Sequence, residues 1–245
     1  MNKISAGFKD VYRPDAKIRR FLTVLALFGI SYGLYRGIQD NYLAEIVGIT
    51  AFERGIVEFF RETPGLLVIL ILAAMYRFTE SRIFKIGIGI MAAGLIGLLV
   101  AGTGKIIVVF FMVVFSFGEH IIMPVRTTIT LDLAKRERSG ASLGITSAIG
   151  NLGNIAGYVV VTGLFFLFSR IGLTQESILP FKIMLGAASA LMVGAVLIVL
   201  GLQESVFKGP RRRFYFAKKF HKYYMLEVFY GARKQIFFTF APYVL

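Results

Sequence analysis

The stretch GEHIIMPVRTT, Gly118 to Thr128, sets a glutamate, a histidine and an arginine inside surroundings that are otherwise apolar. Groups of that kind recur along the chain. Tyr32, Arg36 and Asp40 follow one another at one-turn intervals, Glu58, Arg61 and Glu62 share a face through i,i+3 and i,i+4 spacing, and Asn151, Asn154 and Tyr158 repeat the pattern without charge. A carboxylate in hydrocarbon can take up and release a proton, a guanidinium can hold an anionic group, and amide and phenol groups can hydrogen-bond a polar solute. This is the chemistry of recognition and proton exchange, not of bond-making. The chain has no cysteine and only two histidines, His120 and His221, too few and too far apart for a metal centre, so neither a metal nor a cofactor is expected. No hydrolase, kinase or redox motif accompanies them, and the reading is that the protein is not an enzyme.

The elements that must carry these groups are membrane helices. Of 245 residues, 56% are hydrophobic and 17% charged. With a mean hydropathy of +0.71, that lies beyond the usage of soluble domains. Apolar runs near the roughly 20 residues that a bilayer span requires cover Phe21 to Ala44, Gly55 to Tyr76, Ile83 to Gly102, Ile106 to Leu131, Ala141 to Phe168 and Phe181 to Leu202. The expected fold is therefore an all-α membrane protein, a six-helix transmembrane bundle. Its parts are an amino-terminal segment (1–20), the bundle (21–203), a basic connector (204–225) and a truncated seventh helix (226–245).

Lys and Arg concentrate in alternate connections. Lys3, Lys9, Arg13, Lys17, Arg19 and Arg20 precede the first run, Arg77, Arg82 and Lys85 follow the second, and Lys135, Arg136 and Arg138 follow the fourth. Lys208, Arg211, Arg212, Arg213, Lys218, Lys219 and Lys222 follow the sixth, whereas the opposite connections hold only Arg54, Lys105, Arg170 and Lys182. By the positive-inside rule the amino terminus is cytoplasmic and the protein is a multi-pass protein of the cell membrane. The net charge of +14 is then a topology signal, and no nucleic-acid partner is expected. Some twenty residues, many of them charged or polar, precede the first apolar run, which argues against a cleaved signal peptide.

Charges in hydrocarbon are costly unless they face a bundle interior or a wet cavity. Ionisable or amide groups mark the first, second, fourth and fifth spans, while the third and sixth have none between about Ile86 and Gly102 or between about Ile183 and Leu202. The order is polar, polar, apolar, twice over. That is a 3+3 repeat with a solute site near the midplane, spans one, two, four and five around it and three and six against lipid. Gly150, Gly153 and Gly157 give the fifth span a smooth surface, either for close packing within the bundle or for sliding against a second one.

At "LDLAKRERSGASLGITSAIGNLGNIAGY", after the fourth span, and "RETPG", in the second, the chain resembles the amino-terminal half of a major facilitator superfamily transporter with the start of its seventh helix. The resemblance implies that helices one and four line a cavity, two and five meet the other half, and three and six are peripheral. The superfamily's loop signature should fall at "AAMYRFTESRIFK", where the glycines are absent and Arg77, Glu80, Arg82 and Lys85 supply the charge.

Two functions follow. One is secondary transport of a small-molecule substrate by alternating access, coupled to a proton carried on Glu58, Glu62 or Glu119. Its pathway is Tyr32, Arg36, Asp40, Glu58, Arg61, Glu62, Glu119, Arg126, Asn151 and Asn154, and Asp132, Arg136 and Arg138 form a cytoplasmic gate. The other is a split half-transporter, inactive alone, whose partner is a missing carboxyl-terminal half or a second copy. Arg36 and Asp40 either pair with each other or meet substrate. Two carboxylates around Arg61 leave one under-compensated and able to hold a proton. His120, about 100° around the helix from Glu119, is expected to make a structural hydrogen bond. Arg126 either meets an anionic substrate or holds the inner gate. Pro64 loosens its helix, the connector suits a surface of anionic membrane lipid, and the run Ile236 to Leu245 reaches only about 15 Å as a helix.

Overall fold

The computed structural model describes residues 9–13, 15–170, 172, 177–203, 213 and 217–230. The chain divides into two units, Met1–Lys208 and Gly209–Leu245. Six long helices are described in the first: α1 (Ala16–Asn41), α2 (Ala51–Ala74), α3 (Glu80–Ala101), α4 (Lys105–Leu133), α5 (Ser139–Arg170) and α6 (Ile178–Leu200). Among the described residues there is no strand, only an isolated antiparallel bridge between Tyr12 and Ala134.

Local chemistry sets the helix ends. Asp15 caps α1 by accepting from the Lys17 amide at 3.1 Å. Thr50 and Glu53 form a reciprocal capping box at the start of α2, and Thr79 and Ser177 cap α3 and α6 through their side chains. A π-turn over Tyr42–Ile46 ends α1, and the Tyr42 hydroxyl donates to the Gly102 carbonyl at 2.6 Å, tying that end to the turn between α3 and α4. Gly102 takes φ 70°, a left-handed conformation that ends α3 at little cost only because it has no Cβ.

Among the described residues, five segments are long and apolar enough to cross a membrane: Ala16–Ile46, Glu80–Ala101, Lys105–Leu133, Ser139–Arg170 and Ile178–Leu200. The second expected span, α2, is not among them. At 24 residues it has the length, but Glu53, Arg54, Glu58, Arg61 and Glu62 crowd its first half.

Helix α1 packs on α5 and α6, α3 packs on α4 and α6, and α2 packs on α4. Exchanging the first three helices for the last three maps these main pairings onto themselves: α1–α5 becomes α4–α2, α1–α6 becomes α4–α3, and α3–α6 is unchanged, whereas the slighter α4–α5 and α5–α6 contacts have no equal counterpart. The core lies where α1, α3, α4 and α6 meet, with Phe21, Phe84, Met91, Leu95, Phe115, Phe181, Met184 and Met192 almost fully enclosed. Helices α3 and α6 thus bury one face, and they expose Val100 and Leu197 on another. The least enclosed helices are α2 and α5: α2 buries only Val57, Arg61, Pro64 and Ala73, and α5 presents Leu152, Ile155, Val159, Phe166 and Leu167 outward.

Backbone meets backbone along α1 and α5. A Cβ on Gly157 would stand 2.6 Å from the Leu34 nitrogen, and one on Gly29 would stand 2.6 Å from the Gly150 carbonyl oxygen. Gly150, Gly153 and Gly157 of α5 therefore pack within the bundle, and their counterpart is Gly29, Gly33 and Gly37 of α1, spaced one turn apart.

In the second unit, Lys218–Phe220 forms a short 3-10 turn and residues 221–230 are helical. The last residues expected of the connector thus belong to a helix that continues to Tyr230. The expected remainder of the seventh helix, 231–245, lies outside the described residues, as does most of the connector between 204 and 216.

Candidate functional site

A line of alternating charges crosses three helices. At the end of α1, Asp40 accepts from Arg54 of α2 at 2.6 Å, and Arg54 lies 3.5 Å from Glu58 one turn further on. Glu58 accepts twice from Arg61, at 2.5 and 3.0 Å, and Arg61 also pairs with Glu62. Glu62 lies 3.4 Å from Nε2 of His120 on α4. The His120 ring is held from behind: Nδ1 is 2.9 Å from the Ser116 carbonyl oxygen and 3.1 Å from the Ser116 hydroxyl. That hydroxyl donates to the Arg61 carbonyl at 2.5 Å, a bond across the α2–α4 seam. Both nitrogens of the His120 ring face oxygen acceptors, an arrangement that a doubly protonated ring satisfies.

Helical spacing and one proline make this line possible. Arg54, Glu58, Arg61 and Glu62 fall at i, i+4, i+7 and i+8, one stripe of α2. Pro64 lies inside the helix just beyond, and Gly65 leaves room there for the imidazole: a Cβ on it would stand 2.6 Å from Nε2 of His120.

Beside the line, Tyr32 of α1 donates to Oε1 of Glu119 at 2.8 Å. Phe115 steadies that side, its ring 4.6 Å from Tyr35 and 6.2 Å from Tyr32. Arg36 donates to Gln39 at 2.8 Å. Tyr32, Arg36, Glu119 and Arg126 are all half-buried, and Arg36 and Arg126 both lie within the electrostatic reach of Glu119.

Several expectations are corrected. Arg36 does not pair with Asp40. Asp40 sits at the last turn of α1, where the chain has already turned back and brings Arg54 to it, so Arg36 turns to Gln39 instead. The two carboxylates around Arg61 do not depend on it alone: Arg54 lies beside Glu58, and His120, a cation only when protonated, lies beside Glu62. His120 does make the expected hydrogen bond, but it is also part of the charge line. Asn151 is exposed, off the glycine stripe that meets α1. Asn154 packs its backbone on Gly33 and keeps its Oδ1 buried without a partner. Neither asparagine joins the charged groups.

The residues Asp132, Arg136 and Arg138 do not pair among themselves. Asp132 lies 3.6 Å from Lys17, Arg138 lies 2.7 Å from Asp10, and Arg136 is exposed. The partner of Asp132 lies in the first turn of α1 and that of Arg138 in the segment before it, which docks on the turn between α4 and α5. The Lys135 amide donates to the Val11 carbonyl at 2.9 Å. The buried Tyr12 ring places its hydroxyl 2.8 Å from the Ser142 hydroxyl and 3.2 Å from the Ser142 carbonyl oxygen. Burial pushes the Tyr12 phenol above its ordinary range, and the Ser142 hydrogen bond opposes this more weakly. At the other end, Glu53 bonds Lys105 at 2.8 Å and closes the capping box, which together hold its carboxyl down at about 2.

Arg54, His120 and Ser116 were missed as site residues. The i−4 position of Arg54 relative to Glu58 was the available signal. For His120, only its placement on a different face from Glu119 hinted at a second neighbour.

The described residues thus form a helical bundle whose apolar helices are compatible with a multi-pass membrane protein, with a polar seam among them. A scan against protein-family models finds no match for this chain, and a search of curated proteins finds none either.

Proposed function

We propose that this chain is the six-span bundle of a secondary transporter, resembling the amino-terminal half of a major facilitator superfamily protein, that moves a small solute by alternating access with a coupled proton. The observation that carries the reading is the charge line from Asp40 to His120. Placing so many ionised groups among membrane helices is expensive, and pairs of opposite sign that can exchange partners make a switch between two arrangements. In this reading α2 is a span despite its charges, because each of the carboxylates Glu58 and Glu62 has a cation beside it. The pairing of helix contacts under exchange of the two triplets supports a 3+3 repeat.

Glu58, with two guanidiniums against it, is held as a carboxylate. In this reading the proton is carried on Glu119, whose one hydrogen-bond partner among the described residues is a phenol, and on the Glu62–His120 pair. The Glu119→Gln variant should reach the membrane in normal amount and lose proton-coupled uptake in proteoliposomes. Wild-type uptake by that variant would overturn the assignment.

A second reading, a half-transporter that needs a partner bundle, is favoured by one observation: Tyr32, Arg36, Glu119 and Arg126 stand half-exposed, and the flanking helices α2 and α5 are the least enclosed. Solute uptake by the purified chain alone, reconstituted in liposomes, would remove it.

A further inference from the structure

The half-exposed groups on α1 and α4 differ from the charge line in one respect. Arg54 and Arg61 each have carboxylates on their guanidinium nitrogens. Arg126 has no hydrogen-bond or ion-pair acceptor among the described residues, and Arg36 has only the amide oxygen of Gln39. The nearby carboxylate, Glu119, already accepts from Tyr32. Both guanidiniums lie within the electrostatic reach of Glu119, and Arg36 lies within that of Glu62 as well. A guanidinium cannot shed its proton and carries five N–H donors in a planar fork, so a half-buried one without an acceptor is a site short of an anion. Carboxylates and phosphates match that fork with two parallel hydrogen bonds.

We propose that Arg126 binds an anionic group, carboxylate or phosphate, so that the solute of the transport reading above is a small anion. Arg126 makes the primary contact because all its donors are free.

The test is equilibrium dialysis of radiolabelled inorganic phosphate and radiolabelled acetate against the purified full chain in lipid-free detergent. Saturable binding of at least one is expected, weakened about tenfold or more in Arg126→Gln, the scale of a lost charge-assisted hydrogen bond, and unchanged in Arg170→Gln. Arg126→Lys keeps the charge and loses the fork, and covers the case in which the glutamine variant fails to fold: it should bind several-fold more weakly. Absence of saturable binding, or wild-type affinity in the Arg126 variants, overturns the proposal. So does stabilisation by anionic lipid vesicles alone, which would assign the site to a lipid headgroup. Anion binding without flux in the reconstituted chain would leave this site standing and remove the transport reading. Uptake of a neutral or cationic solute that survives Arg126→Gln would do the reverse.

Discussion

The α1–α5 seam and the α4–α2 seam occupy equivalent places when the two helix triplets are exchanged, yet they are made of opposite materials. Along α1 and α5, Gly29, Gly33, Gly150, Gly153 and Gly157 bring backbone against backbone. Along α4 and α2, Ser116 and His120 meet Arg61 and Glu62 through hydrogen bonds and charge. A seam held by shape tolerates nothing added to it. One held by directional polar contacts tolerates nothing removed, and it can be rewired if a proton arrives or leaves. Hydrocarbon provides no hydrophobic drive between helices, so close packing and interhelical hydrogen bonds are the two means available, and each seam uses one of them. The rigid seam fixes α5 to α1, and the polar seam joins α2 to α4 through contacts that can change.

Deleting a charge should have the largest effect. Arg61 is buried and touches two carboxylates. Arg61→Leu would leave Glu58 and Glu62 leaning on Arg54 and His120 alone, at a cost of about 3 kcal/mol, the scale of an orphaned buried charge. A fall in the thermal midpoint of the purified chain, partly restored by Glu62→Gln in the same molecule, is the expected result. Adding a side chain comes next. Gly157→Leu would drive a side chain into the backbone of Gly33 and Leu34, which cannot yield as a flexible side chain would. A loss of about 3 kcal/mol or somewhat less is expected from overpacking. The same substitution at Gly163, which faces open space, should be nearly silent. If Gly157→Leu is also silent, the two seams are not different in kind.

The Ser116→Ala variant takes one hydroxyl from the polar seam and should cost about 1 kcal/mol, the size of one interhelical hydrogen bond. It frees the Arg61 carbonyl and one side of the His120 ring. A pH dependence of stability that changes along with the midpoint would tie Ser116 to the histidine and not only to packing.

How far these differences could be read in the amino-acid order depends on whether a feature is local. Helix positions follow from runs of apolar residues. The first was expected from Phe21 and starts at Ala16, because Asp15 caps it there and the basic residues that follow are helical although not apolar. The glycine spacing on α5 was legible, and so was the matching one on α1, since Gly29, Gly33 and Gly37 stand at one-turn intervals. The face that each charged residue occupies was legible too, but its partner was not. Arg36 and Asp40 are neighbours along α1, and only the return of the chain into α2 brings Arg54 close enough to take Asp40 away. The docking of Tyr12 on Ser142, 130 positions away, has no periodic signal at all.

The smallest effect lies outside both seams and tests whether charge pairing holds the helix ends as it holds the α2 stripe. Glu53 is at the first turn of α2, bonded to Lys105 at the first turn of α4 and to the Thr50 amide. Its carboxyl is held down at about 2, against an ordinary value of 4.5, first by the Lys105 hydrogen bond and then by the Thr50 backbone. A depressed folded-state pKa means that the contribution is fully present above about 4.5 and is lost as pH falls toward about 2. Because the pair is exposed, its effect on stability should be slight, and the direct measurement is the titration of the Glu53 carboxyl by NMR. Lys105→Ala should move that midpoint back toward the ordinary range without reaching it, since the Thr50 bonds remain. A full return would mean that the capping box adds nothing, and no movement would mean that the pairing between α2 and α4 at this end is not made in solution.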